Sequence, residues 1–238
     1  MTPAVSSEPV ELAAQQPGVR LLDVTATWFV GLAETGVTSE AEQARAGAAN
    51  DPEMGRRMLS RRAALRLVLG RQLGSAPEDV RIVTAPGGKP VLLPRPADGP
   101  SLAFSVAHSG DLYGIAVAPV ASLGFDVERV RAVPRAQAIA ERWFGSEEAR
   151  RLDGLDDEAR TAAFLRMWTG KEALAKRHGA GLRLMRGDDV QELDLASAEA
   201  SGRLRFPPVS EGYVGALAST APIERIAVFQ PESDPWTT

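Results

Sequence analysis

From Leu123 to Arg129 the chain alternates: Leu123, Phe125 and Val127 are apolar, and between them stand Gly124, Asp126 and Glu128. A period of two predicts a strand with one face in a core and two carboxylates on the other, their Cα atoms about 6.6 Å apart. Apolar and β-branched runs bounded by Gly- and Pro-rich turns predict further strands at Arg20 to Trp28, Val80 to Thr84, Pro90 to Leu93, Leu102 to Val106 and Leu112 to Ala118. Four more are expected at Val190 to Leu195, Leu204 to Phe206, Tyr213 to Ala218 and Ile226 to Phe229.

Helical periodicity predicts two long helices. Asp51-Pro52-Glu53 supplies a cap, a first-turn proline and a first-turn acid, and Gly74 a stop, for a helix over 52–73. Its stripe holds Leu59, Ala63, Leu67 and Val68, and its other faces carry Arg56, Arg57, Arg61, Arg62 and Arg66. Pro134 to Trp143 reads as a short helix, and Ser146-Glu147-Glu148 opens another that runs to about Leu152. The second long helix spans 157–178 and stops near Gly179 and Gly181. Along it Thr161, Leu165, Trp168, Glu172 and Ala175 share one stripe, so a glutamate interrupts the face that should be buried.

Strand, long helix and strands to 118, then strand, long helix and strands to 229, is an order that repeats. It predicts an α+β fold of two similar halves related by an approximate two-fold, with a central cleft between them. The expected divisions are a loose N-terminal arm at 1–18, a first half at 19–120, a second at 121–230 and a frayed tail at 231–238.

Composition narrows the chemistry. The 238 residues, 44% apolar, suffice for one large or two small packed units. With no cysteine and only His108 and His178, disulfides, thiolate nucleophiles and cysteine-based zinc sites are excluded, and any metal is oxygen-bound. A formal charge of -4 argues against a nucleic-acid binder. No window approaches the ~20 apolar residues of a membrane span, and the start lacks a basic stretch leading into an apolar run, so a cytoplasmic location is expected.

Two carboxylates on one strand face repel unless a cation lies between them, and Mg²⁺ held by carboxylates and phosphate oxygens is the usual resolution; a solvated acidic strand face is the alternative. Glu172 on a buried stripe also needs a cation, since losing water unpaired costs several kcal/mol. Lys176, one turn on, can supply it, or a metal shared with Asp126 and Glu128 can satisfy all three acids. Lys89, in the turn Gly87-Gly88-Lys89-Pro90, either decorates a hairpin or reaches an anion; the spacing is not that of a Walker loop. His108 and Ser109 fall in a turn with Gly110, where a structural histidine is the plainer reading, and Glu148 has an ordinary role as a first-turn acid. The helix arginines either face solvent or meet phosphate.

Taken together, Gly88-Lys89-Pro90, Phe104-Ser105-Val106-Ala107-His108-Ser109, Gly124-Phe125-Asp126-Val127-Glu128 and Trp168-Thr169-Gly170-Lys171-Glu172-Ala173 with Lys176 resemble the motifs of the Sfp-type 4'-phosphopantetheinyl transferases, the larger pseudo-dimeric class. The resemblance spans roughly residues 50–185. It implies transfer of the phosphopantetheine arm of coenzyme A to a serine of an apo acyl or peptidyl carrier protein, releasing adenosine 3',5'-bisphosphate. It also implies Asp126, Glu128 and Glu172 as Mg²⁺ ligands, Glu148 as the base for the serine proton with Glu172 as rival, and Lys176 on the pyrophosphate. Lys89, His108 and Ser109 are implied at the nucleotide's phosphates, with Arg57 as the matching helix arginine and Arg62 as its fallback, and Lys171, beside the site, is grouped with the coenzyme-binding residues. Residues 38–53 lack the lysines some relatives carry there, which leaves part of the adenosine phosphate contact unassigned.

A monomer is expected, with Arg129, Arg131, Arg135, Arg142, Arg150 and Arg151 as the surface that meets an acidic carrier. Rival readings are a Mg²⁺-dependent phosphodiesterase or nuclease, which predicts a basic groove, and a non-catalytic carrier-binding module.

Overall fold

The computed structural model describes residues 23–30, 37–85, 88–93, 102–144, 146–179 and 193–229. The expected arm and tail, Gly87, Gly181 and the 190–192 part of a predicted strand lie outside the described residues.

The two long helices have the expected bounds. Helix α2, Pro52–Leu73, is capped by Asp51, whose side chain accepts from the Glu53 amide at 2.9 Å, and ends at Gly74 in the left-handed region. Helix α5, Asp157–His178, is capped by Asp156 and ends in the same way at Gly179. Helix α1, Glu40–Gly47, was not expected; a capping box between Ser39 and Glu42 starts it. Helices α3, Ala136–Trp143, and α4, Ser146–Ala149, stand near their predicted places, with a 3-10 turn at Arg150–Leu152 after α4. Where a strand was expected to run to Leu195, helix α6, Leu195–Ala200, begins instead: Asp194 accepts from the amides of Ala196 and Ser197, and a capped turn excludes an extended backbone.

Among the described residues nine strands form three sheets. Strands β1 (Asp23–Val30), β4 (Ala103–Ser109), β5 (Leu112–Ala118) and β9 (Arg225–Phe229) make one sheet in the order β4-β5-β1-β9, with β1 and β9 parallel. A ribbon pairs β2 (Arg81–Thr84) with β3 (Pro90–Leu93), and a third sheet has the order β6-β8-β7, with β6 at Leu123–Arg129, β7 at Leu204–Arg205 and β8 at Tyr213–Ser219. The last strand thus completes the sheet begun by the first. Strand β4 runs further than expected, so His108 and Ser109 end a strand and the turn is Gly110-Asp111.

Alternation in the strands builds the layers. On β5, Tyr113, Ile115 and Val117 pack against Leu65, Val68 and Leu69 of α2, while Leu112, Ala116 and Ala118 face the other way. There they meet Leu123, Phe125 and Val127 of β6 and Leu217 of β8. The outer face of β8, with Ala216 and Ala218, is covered by Leu165, Ala173 and Leu174 of α5. The order is helix, sheet, sheet, helix, an α+β architecture whose inter-sheet core forces the polar positions of β6 toward α5. Burying Phe125 alone contributes on the order of 2–3 kcal/mol.

A buried arginine ties α2 to α1 and to the chain that follows α2. Arg66 Nε reaches Glu42 Oε2 at 2.8 Å, and Nη1 donates to the carbonyls of Pro77 and Val80 at 3.2 and 2.9 Å. Burial works against ionisation of Glu42, but hydrogen bonds from Arg66 and from the Ser39 amide outweigh it and hold the carboxyl below its ordinary range.

Candidate active site

The site begins with a missing side chain. A Cβ at Gly124 would stand 1.8 Å from the Ala173 carbonyl oxygen and 2.5 Å from the Arg177 amide nitrogen, both backbone atoms. Only glycine lets α5 lie directly on β6 at that point. Asp126, two residues on and on the same face, then also faces α5, and Lys176 Nζ, from the turn that Gly124 abuts, donates to its Oδ1 at 2.7 Å.

Asp126 is 7% exposed, and its other oxygen, Oδ2, is buried with no hydrogen-bond partner among the described residues. Burial pushes its carboxyl up to about 7 against the pull of Lys176, and the charges of Glu172 and Glu128 push the same way. Glu172 is raised as well, by burial and then by Glu128, again against Lys176. Each repulsion records proximity: the three acids expected to converge do share one electrostatic neighbourhood. Lys176 sits among them, with its hydrogen bond directed to Asp126 rather than to Glu172. Among the described residues no three acidic or histidine side chains already close around a metal position.

Glu128 is oriented from the neighbouring sheet. The Ser109 hydroxyl donates to Glu128 Oε2 at 2.8 Å and accepts from the Arg129 amide at 3.0 Å, while buried Ser105 accepts from the Phe125 amide at 2.9 Å. Two serines on β4 therefore clasp the β6 backbone, and a serine among apolar strand positions was the available sign for Ser105. Lys89 bridges the sheets similarly: Nζ donates to Ser122 Oγ at 2.9 Å and to the Leu123 carbonyl at 2.7 Å. Ser122 in turn donates to the Arg177 carbonyl at 2.5 Å. A cavity of about 210 Å³ opens beside this bridge, lined by Lys89, Phe104, Ser105, Val106, Lys176 and Gly179 among others.

Cations gather at the same end of β4. His108 is exposed, yet loss of hydration and the charges of Arg61 and Lys176 hold its imidazole below the ordinary value. Arg61, not singled out from the sequence, lies 5.9 Å from the centre of the Tyr113 ring and buries an Nε with no hydrogen-bond partner among the described residues. Burial, with Arg57 nearby, lowers its guanidinium, and burial raises the Tyr113 hydroxyl despite the charges of Arg62 and Arg61. Arg57 itself is exposed and pairs with Glu53 at 3.1 Å and Asp111 at 3.5 Å. Imidazole, guanidinium and ammonium groups turned to one region suit an anion carrying several negative charges.

Lys171 and Glu148 are placed together. Lys171 Nζ is 2.6 Å from Glu148 Oε2 and 5.7 Å from the centre of the Phe144 ring, and the lysine is almost wholly buried. A lysine on a helix read from sequence as next to the site proves to point at α4.

Comparison with known proteins adds independent ground. The family model described as the 4'-phosphopantetheinyl transferase superfamily matches residues 122–212, the segment that contains Asp126, Glu128, Glu148, Glu172 and Lys176. The chain is similar to the 4'-phosphopantetheinyl transferase HetI of Nostoc, with 35% identity over 181 residues, 76% of this chain and 70% of that protein. It shares 35% identity over 144 residues, 60% of this chain, with a Synechocystis protein named as a candidate 4'-phosphopantetheinyl transferase, of which the match spans 58%. With the 4'-phosphopantetheinyl transferase Sfp of Bacillus subtilis it shares 27% over 166 residues, 66% of this chain and 71% of that one.

Proposed function

Because this chain belongs to the 4'-phosphopantetheinyl transferase family, we propose that it moves the 4'-phosphopantetheine arm of coenzyme A to a serine hydroxyl of an apo acyl or peptidyl carrier protein. The observation that carries the reading is the acid cluster: a buried Asp126 with one oxygen unpartnered among the described residues, beside Glu128 and Glu172. Three oxygen-donor carboxylates drawn together by the fold, two of them raised by burial and mutual repulsion, fit a hard divalent cation, and Mg²⁺ is the ion we assign to them. When bound, that ion supplies charge neutralisation for the pyrophosphate of coenzyme A.

The residues of the chain do the rest. The serine oxygen bonds to the phosphorus bearing the pantetheine arm, the bond from that phosphorus to the bridging oxygen breaks, and adenosine 3',5'-bisphosphate leaves with the electron pair. Glu148 takes the serine proton, with Glu172 as the alternative base. Lys176 meets the pyrophosphate, and Lys89, His108, Ser109, Arg57 and Arg62 lie toward the nucleotide's phosphates, to which Arg61 is added on the strength of its placement beside His108. Lys171 was grouped with these coenzyme contacts from its motif; its burial against Glu148 supports a place behind the base.

Arg129, Arg131, Arg135, Arg142, Arg150 and Arg151 are all exposed, which supports docking of an acidic carrier there and steering of its approach. The protein is read as a monomer of two pseudo-symmetric halves acting in the cytoplasm. Two 22-residue helices, each laid on its own sheet, support the pairing of halves. Among the described residues no helix is long and apolar enough to cross a membrane.

Incubation of apo carrier proteins with the enzyme, coenzyme A and Mg²⁺, followed by mass spectrometry, tests the proposal. A gain of one phosphopantetheine on the carrier serine is expected. No gain across fatty-acid, polyketide and nonribosomal-peptide carriers would overturn it, and cleavage of a phosphodiester under the same conditions would favour the hydrolytic alternative.

A further inference from the structure

The ion pair between Lys171 and Glu148 calls for an explanation, because an ammonium 2% exposed in its side chain is costly to bury. Its carboxylate partner, 15% exposed, belongs to α4, a helix of four residues. So short a helix has little stability of its own, and its position is set by what it is tied to. Ala149 and Leu152 anchor it from below as core residues, and Gln137 Nε2 donates to the Ala149 carbonyl at 3.4 Å. None of these contacts fixes the direction of the Glu148 side chain. The 2.6 Å charge contact to Lys171 Nζ does, although its angles are not those of a hydrogen bond and Glu148 Oε2 has no hydrogen-bond partner among the described residues. The Phe144 ring, its centre 5.7 Å from the ammonium, bounds where that nitrogen can move.

Lys171 also stands directly before Glu172 on α5, and neighbours on a helix diverge by roughly 100°. One side chain therefore turns toward Asp126 and its neighbours while the adjacent one braces α4. Resting on the transfer reaction proposed above, we infer that Lys171 is a positioning residue: it acts on the reaction through Glu148, by holding the carboxylate that receives the serine proton in register with the acids on the same helix. It contacts neither coenzyme A nor the carrier.

A double-mutant cycle in the full-length enzyme tests this, with kcat and the KM for coenzyme A measured for carrier modification in Mg²⁺. Lys171→Met is expected to lower kcat by roughly 10²-fold, the span of a lost base, with KM for coenzyme A within about twofold of wild type. In the Glu148→Gln background the same change is expected to alter kcat by less than about twofold, because the group it positions is gone. A merely structural role predicts equal losses in both backgrounds, and a direct coenzyme contact predicts a raised KM; either result overturns the inference. If Lys171→Met does not fold, Glu148→Gln and the double variant, in which neither buried charge stands alone, are compared with each other. A further tenfold loss in the double variant overturns the inference, and equality upholds it. A wild-type enzyme that modifies no carrier overturns the transfer reading itself, an outcome distinct from an active enzyme with an uncoupled pair.

Discussion

Substituting Gly124 by alanine adds one methyl group, and the geometry fixes where it goes. The new Cβ lies 1.8 Å from the Ala173 carbonyl oxygen, so ordinary contact at 3.4 Å requires β6 and α5 to separate by about 1.6 Å. Its φ is not in the left-handed region, so the obstacle is space alone. Neither contacting atom is the end of a flexible side chain; both belong to the backbone of α5, and β6 is held behind by the core around Phe125. Overpacking costs 1–3 kcal/mol where side chains can yield, which sets about 3 kcal/mol as the expectation here. In a chain of this size that corresponds to a fall in Tm of roughly 6–12 °C. Lys176 and Glu172 move with the helix, and a displacement beyond 1 Å at a reacting centre is expected to slow transfer by about 10²-fold. Urea denaturation measures the first effect and initial rates of carrier modification the second. Stability within about 0.5 kcal/mol of wild type, together with an unchanged rate, would show that the helix does not rest on the strand as described.

The same site and the core behind it make three further predictions. Asp126→Ala and Glu172→Ala each abolish Mg²⁺-dependent transfer while the far-ultraviolet circular dichroism stays that of wild type; full activity in either would refute the metal assignment. The Asp126 carboxyl lies at about 7 in the fold against an ordinary 3.8, so its contribution is fully present below about pH 4 and is lost as pH rises through 7. The contribution of this group to the stability of the metal-free protein is thus expected to fall over that window. Asp126→Asn or added Mg²⁺ is expected to flatten the decline in denaturation experiments at successive pH values, and an equally steep decline in the asparagine variant would assign it to another group. Arg66→Met, which strands Glu42 and frees the carbonyls of Pro77 and Val80, is expected to cost about 3–5 kcal/mol by urea denaturation, and a loss below about 1 would contradict the buried network.

Much of the fold could be read directly because its signals are local. Asp51, Pro52 and Gly74 mark α2 from within a few residues of each end, Asp156 and Gly179 do the same for α5, and the alternation of β6 declares its own two faces. Helix α1 has no apolar stripe in its polar sequence, and the capping box at its start is its one local signal. Helix α6 reads as the end of a strand because the apolar residues near 190–195 outweigh the cap at Asp194. The acids at 126, 128 and 172 were recognisable by type and by position on a face, since burial without a partner is a conflict that a sequence can display.

Which cation each acid meets was a different matter. Lys176, one helical turn from Glu172, was one of two candidate cations for that acid beside a shared metal, and its hydrogen bond goes to Asp126, fifty residues away, because Gly124 admits the helix onto the strand. Lys171 carries no sign of burial in its letter, and only the docking of α4 against α5 puts it under Glu148. The parallel pairing of β9 with β1 likewise depends on the chain's return across the whole molecule. The amino-acid sequence by itself determined the elements, their faces and the chemical inventory of the site, since those depend on neighbours within a few residues. Tertiary structure alone decided the pairings, because which charges share a low-dielectric space is settled by how close two distant backbones can come.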